Sequence, residues 1–172
     1  MIKTLLTALT LTSLATPVLA QSNHDDHVRL ARAVEKVGVT VHVNHKVCDT
    51  VDTYGMYIPD HKVIVICQEG KIKGSTKTVS WTEEDYDTLR HEVHHVVQDC
   101  RDGLNGQLNA VYSKPVQLGY DTLGKSKTHH IAQLYASKGA SQHIQVMEVE
   151  AFSVAAMNDP LEQVSDINTY CF

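Results

Sequence analysis

Residues 91–95 read His-Glu-Val-His-His. Residues four apart stack on one face of a helix, so the imidazoles of His91 and His95 can grip a single metal ion, the spacing written H-E-x-x-H. At about 100° per residue, His95 falls about 40° from His91 and Glu92 about 100°. Glu92 therefore stands beside such an ion rather than on it. A carboxylate placed there can take a proton from a metal-bound water whose pKa zinc has already lowered. His94 falls at about 300° on the same wheel and is read as a neighbour rather than a ligand. The chain carries 11 histidines in 172 residues, which suits a metal site, since histidine is the commonest metal ligand.

The helix that must hold these groups is announced by Ser80-Trp81-Thr82-Glu83-Glu84-Asp85. Thr82 with Asp85 fits a capping box, and the acidic first turn suits the helix dipole. The helix should run to about Cys100, with Gly103 just beyond. Leu89, Val93, Val96 and Cys100 fall roughly 140–220° from His91, so an apolar stripe lies opposite the histidines. Gln98 and Asp99 lie on or near the histidine face, and either can orient an imidazole through its second nitrogen.

Over residues 82–100 the chain resembles the H-E-x-x-H zinc metallopeptidases, the zincins. The resemblance implies a zinc ion, Glu92 as general base, and hydrolysis of a peptide bond in a peptide or protein substrate. The metzincin extension needs Gly at position 98 and His or Asp at position 101; Gln98 and Arg101 exclude it. Met147-Glu148-Val149-Glu150-Ala151-Phe152 resembles the gluzincin pattern, a Glu on a later helix followed three residues on by a small residue. That match implies Glu148 as third ligand, with Ala151 letting the helices approach. The Asp that often follows is replaced by Phe152, which keeps Glu150 open as the alternative. The two point about 200° apart on a helix, so only one can face the metal. Gly119-Tyr120-Asp121 offers Asp121 as an aspzincin-like rival, although the fuller pattern of that group is not matched. A Tyr or His usually stabilises the oxyanion in zincins. Tyr112, Tyr120, Tyr135, His129, His130 and His143 are all candidates, and sequence singles out none. The alternative function is a non-catalytic secreted zincin-like domain with a binding or structural role. Glu92 separates the two, because a structural zinc site needs a fourth protein ligand and has no use for an acid beside its first histidine.

Around this site the periodicity predicts a helix from His27 to Val37, a strand at Val39–Val43, a loop or bent connection over 44–60, and a central strand within Lys62–Gln68. Residues 103–128 read as an extended loop region, His129–Ser137 as a short helix, and Gln142–Met157 as a helix stopped by Asn158-Asp159-Pro160. The expected fold class is α+β: a small zincin-like domain, with a short sheet packed on the active-site helix plus C-terminal helices.

Lys3, the apolar run Leu5–Leu14 and the small residues before Ala20 read as a signal peptide over 1–20, leaving one metallopeptidase domain over 21–172. The apolar stretch is too short to span a bilayer, so no stable membrane insertion is expected after cleavage. A secreted or periplasmic monomer is the expectation. Net charge is −5 with no basic block, which argues against a nucleic-acid partner. Four cysteines in an exported chain suggest two disulfides, with three possible connectivities. The expected pairing is Cys48–Cys67, closing a hairpin-like loop, and Cys100–Cys171, tying the C-terminus to the end of the active-site helix. His24 and His27 are expected to be solvated near the mature N-terminus.

Overall fold

The computed structural model describes residues 17–172. The expected signal, residues 1–20, lies outside them except for 17–20. Those four form the start of helix α1 (Pro17–Lys36), which thus begins ten residues before the His27 start read from periodicity. Three strands follow: β1 (Thr40–Val43), β2 (Gly55–Ile58) and β3 (Val63–Ile66). Then come five helices, α2 (Glu83–Cys100), α3 (Pro115–Leu123), α4 (Lys125–Ser137), α5 (Gln142–Met157) and α6 (Pro160–Tyr170). The domain is α+β. None of the described helices is long and apolar enough to cross a membrane.

The sheet order is β1-β3-β2. The continuous apolar run of β3 occupies the centre, pairing parallel with β1 and antiparallel with β2. β2 falls where a loop was expected. Its sequence, Gly-Met-Tyr-Ile, has a glycine first, a proline after it and no alternation. Pairing with β3 through Gly55↔Ile66 and Ile58↔Val63 makes it a strand. β2 is an edge strand, a fact that bears on the cleft described below.

α2 is the central element. Its capping box forms as read, with Thr82 accepting from the Asp85 amide and Asp85 from the Thr82 amide. Asp85 is also buried and accepts the Glu69 amide at 2.9 Å, which fastens the N-terminus of α2 to the chain just beyond β3. The stripe Leu89, Val93, Val96, Val97 and Cys100 packs with Leu30 and Val34 of α1, Ile64 and Ile66 of β3, and Ile167 of α6. Side chains of this size are worth roughly 1.5–3 kcal/mol each when buried, and this cluster fixes the rotation of α2 about its axis.

Two helices were not expected. α3 lies inside the supposed loop, and its Pro115 is an N1 residue rather than a breaker. Gly119 lets α3 lie close to α5, since a Cβ there would come within 2.7 Å of Val149 Cγ1. α6 starts at the proline that ends α5, with Asp159 and Glu162 forming a capping box. Both disulfides match the expected pairing, Cys48–Cys67 and Cys100–Cys171.

Candidate metal centre

The rotation of α2 that buries its apolar stripe turns His91 and His95 toward α5. Their Nε2 atoms lie 3.1 Å apart. Glu148 Oε2, from α5, lies 3.2 Å from His91 Nε2 and 3.5 Å from His95 Nε2. Ligands about 2.0–2.1 Å from a tetrahedral zinc are spaced about 3.3 Å from one another. The triangle of these three donor atoms fits that spacing, so the residues present suit a tetrahedral divalent cation. Glu92 presents a carboxylate oxygen within 4.8 Å of the histidine nitrogens. All four side chains belong to buried residues. Glu148, not Glu150, is the carboxylate that α5 brings to the histidines, and Asp121 is exposed on α3, bonded to Gln117 Nε2 at 2.8 Å.

The electrostatics are those of a site arranged around positive charge. Burial disfavours the charged form of His95, but Glu148 outweighs it and pushes the imidazole up to about 9. Burial likewise opposes the charge on Glu148, yet His95 and His91 hold its carboxyl well below the usual carboxylate range. Glu92 goes the other way. Burial raises it, and the two histidines only partly offset that. Glu92 is therefore a stronger base than a surface carboxylate.

Most of the side chains around the triangle have a hydrogen-bond partner. His95 Nδ1 meets Gln98 Oε1 at 2.8 Å, the contact that its helix position suggested. His91 Nδ1 has no hydrogen-bond partner among the described residues; the ring is held by Phe152, whose centroid lies 4.2 Å away. His94 bonds Glu150, Nε2 to Oε1, at 2.9 Å, away from the triangle. Asp99 touches no imidazole. It accepts from the Tyr57 hydroxyl at 2.7 Å and from the Gly106 amide at 2.8 Å, tying β2 and the following segment to α2. His27 is buried, not solvated. Its Nδ1 donates to Asn23 O at 2.7 Å, and its Nε2 accepts from Arg90 at 3.2 Å. His24 is exposed and pairs with the Tyr86 hydroxyl at 2.9 Å.

The triangle lies at the floor of a cleft of about 720 Å³. β2 forms one wall, and residues 106–109 with the start of α5 form the other. Among the six oxyanion candidates, Tyr135 and His143 line this cleft. Tyr135 lies beside Glu148, and burial, with Glu148 next, pushes its phenol well up, so it keeps its proton. His143 bonds Leu108 O at 2.7 Å. Tyr120 and His129 pair with each other at 2.9 Å on the surface, His130 is exposed, and Tyr112 lies near Asn158 and Asp166. Sequence reading missed Gly55, Tyr57 and the segment 106–109. They reach the cleft through β2 and a loop, neither of which has a local signature.

Fold and site together define a small α+β domain with a buried His-His-Glu cluster and an adjacent carboxylate. The chain belongs to the family described as "Domain of unknown function (DUF8637)", whose model matches residues 17–172. Nothing matches among the curated proteins or among the solved structures.

Proposed function

We propose that the protein is an exported zinc-dependent peptidase of gluzincin-like design, with His91, His95 and Glu148 as metal ligands and Glu92 as general base. The observation that carries this reading is the convergence of the three donor atoms at 3.1–3.5 Å with Glu92 beside them at the floor of an open cleft. Three protein donors with one direction left to the cleft suit catalysis, whereas a structural site closes all four.

A bound zinc ion supplies a Lewis acid that polarises a carbonyl and lowers the pKa of water. The chain does the rest. The outer edge of β2 borders the cleft, where it is placed to meet an extended peptide and orient the scissile bond across the site. Glu92, raised by burial, accepts the proton of the attacking water and passes it to the leaving amine. Tyr135, which keeps its proton, donates a hydrogen bond to the developing oxyanion. The two disulfides support an oxidising compartment outside the cytosol.

The test is hydrolysis of unfolded protein and of a peptide library by the purified protein, with zinc and with chelator, alongside metal analysis. The expected result is about one zinc per chain and chelator-sensitive cleavage, both lost in His91→Ala/His95→Ala. Unchanged tight zinc in that variant overturns the ligand assignment, and zinc-loaded protein without hydrolysis overturns the peptidase reading.

A further inference from the structure

Glu150 is a buried carboxylate that the proposed reaction does not use. It is fully buried and takes four donors: His94 Nε2 at 2.9 Å, Gln98 Nε2 at 3.1 Å, the Val111 amide at 2.8 Å and the Tyr112 amide at 3.1 Å. Each of its two oxygens takes a backbone amide, Val111 on Oε1 and Tyr112 on Oε2, and a backbone N–H can only donate, so the carboxylate stands as an acceptor on both sides, which has a directional consequence.

Gln98 has one end that donates and one that accepts. Glu150 and Met147 O, the latter at 3.0 Å, both demand its NH2. Its oxygen is thereby left facing His95 Nδ1 at 2.8 Å, and an amide oxygen can only accept. His95 must carry a proton on Nδ1, and Nε2 is the nitrogen turned toward His91 and Glu148. A flipped amide would aim NH2 at the Nδ1 proton and push the ring out of line. The same carboxylate pins Val111 and Tyr112. The backbone carbonyl of Gln98 accepts the Asn109 amide at 3.0 Å, so the cleft wall at 106–109 and the residues just beyond it are fastened to neighbouring points of α2 and α5.

We propose that Glu150 is a positioning residue for the metal centre: it sets the direction of the Gln98 amide, which holds His95 by Nδ1, and it anchors residues 111–112, just beyond the cleft wall, on the same carboxylate. This rests on the reading of His91, His95 and Glu148 as metal ligands. Partners of metal-bound histidines typically contribute 10–100-fold to metal affinity, which sets the expected effect.

The experiment compares wild type, Glu150→Gln, Gln98→Met and the exchanged pair Gln98→Glu/Glu150→Gln. Zinc affinity is read by competition with a chelator, and the His95 Nδ1 proton by NMR of the zinc-loaded protein. Limited proteolysis across 103–114 reports on the wall. In wild type the Nδ1 proton should be slow to exchange with solvent. Glu150→Gln should lose that protection, weaken zinc by about 10–100-fold and open the wall to protease. Gln98→Met, which keeps the bulk but not the amide, should lose the Nδ1 protection while Glu150 still holds residues 111–112. The exchanged pair restores an acceptor facing His95 but leaves Met147 O without its donor, so the Nδ1 protection should return with only part of the affinity. Were Glu150→Gln not to fold, Gln98→Met and the exchanged pair would still decide the matter. Wild-type protection of the proton in Gln98→Met, or zinc affinity in Glu150→Gln within twofold of wild type, overturns the proposal alone. A wild type that takes up no zinc overturns the metal reading, and this proposal with it.

Discussion

A methyl group on Gly55 would lie 3.0 Å from Glu92 Oε1 and 2.5 Å from Thr88 Cγ2, so β2 approaches the base of the proposed reaction at a spot where no side chain fits. Gly55→Ala must shift the strand or the Thr88 methyl, and the Glu92 carboxylate must give by a few tenths of an ångström. Small displacements of a reacting group can cost up to about 10²-fold in rate. We expect Gly55→Ala to keep its zinc and lose about 10-fold to 10²-fold in peptide hydrolysis, measured at matched zinc occupancy. Wild-type turnover would show that Glu92 does not need this placement.

Glu92→Gln preserves size and hydrogen bonding but cannot take a proton. It should retain zinc and fold while losing about 10²–10⁴-fold in hydrolysis, the usual worth of a positioned base. Glu148→Gln should behave differently, with zinc affinity and activity falling together. Metal analysis beside the rate assay separates the two, and a Glu92→Gln enzyme with the wild-type rate refutes the base assignment.

Tyr135→Phe removes one hydroxyl from the cleft. If that hydroxyl stabilises the oxyanion, kcat should fall by about 10²–10³-fold with little change in zinc content. His143→Gln should cost much less, because His143 is engaged with Leu108 O. Equal losses from both substitutions would remove Tyr135 from its special place.

In chelator, the His95–Glu148 pair makes stability depend on pH. His95 is raised from its ordinary value near 6.5 up to about 9, so its contribution is full below pH 6.5 and is lost as pH rises through 9. Glu148 is lowered from 4.5, so its contribution is present above that pH and fades as pH falls below it. His27, buried and lowered, has the opposite sign to His95, which makes a single curve ambiguous. The useful quantity is the difference in Tm between wild type and Glu148→Gln from pH 4 to 10. It should be largest between about pH 4.5 and 6.5 and shrink on both sides. A difference that is flat with pH would mean the pair does not interact as described.

The Cys100–Cys171 bond spans 71 residues and joins α2 to the end of α6. Replacing both cysteines with alanine should cost about 2–4 kcal/mol in unfolding free energy, read by denaturant titration. A loss under about 0.5 kcal/mol would mean that packing of α6 alone holds the C-terminus.

The placement of the groups on α2 is legible because one helix carries its own frame of reference. Thr82 and Asp85 mark its start, the apolar stripe sets its rotation, and His91, Glu92 and His95 follow at known angles. Glu148 needed a resemblance, since two glutamates two residues apart are equivalent until α5 is packed. The fate of Glu150 was hidden for the same reason: its partners are backbone amides of a loop and a glutamine on another helix. β2 and its Gly55 were hidden more deeply, because pairing with β3 makes the strand and nothing local does. α3 and α6 were missed through Pro115 and Pro160. Pro160 reads as a stop and Pro115 as part of a loop, although a proline in the first turn starts a helix as readily as it ends one.

From His91 to Cys100 every residue of α2 is buried, with the apolar core on one side and the cleft and its supports on the other. Such a helix has no face left on which to drift. A descendant of this protein that came to accept a different ligand would have to change elsewhere: in the approach to β2, in residues 103–114, or near Tyr135 at the end of α4. Those parts border the cleft with far less stake in the core. The fold thus divides labour along its length, with one heavily constrained segment that fixes the geometry of the proposed centre and a flanking set that is free to vary around it.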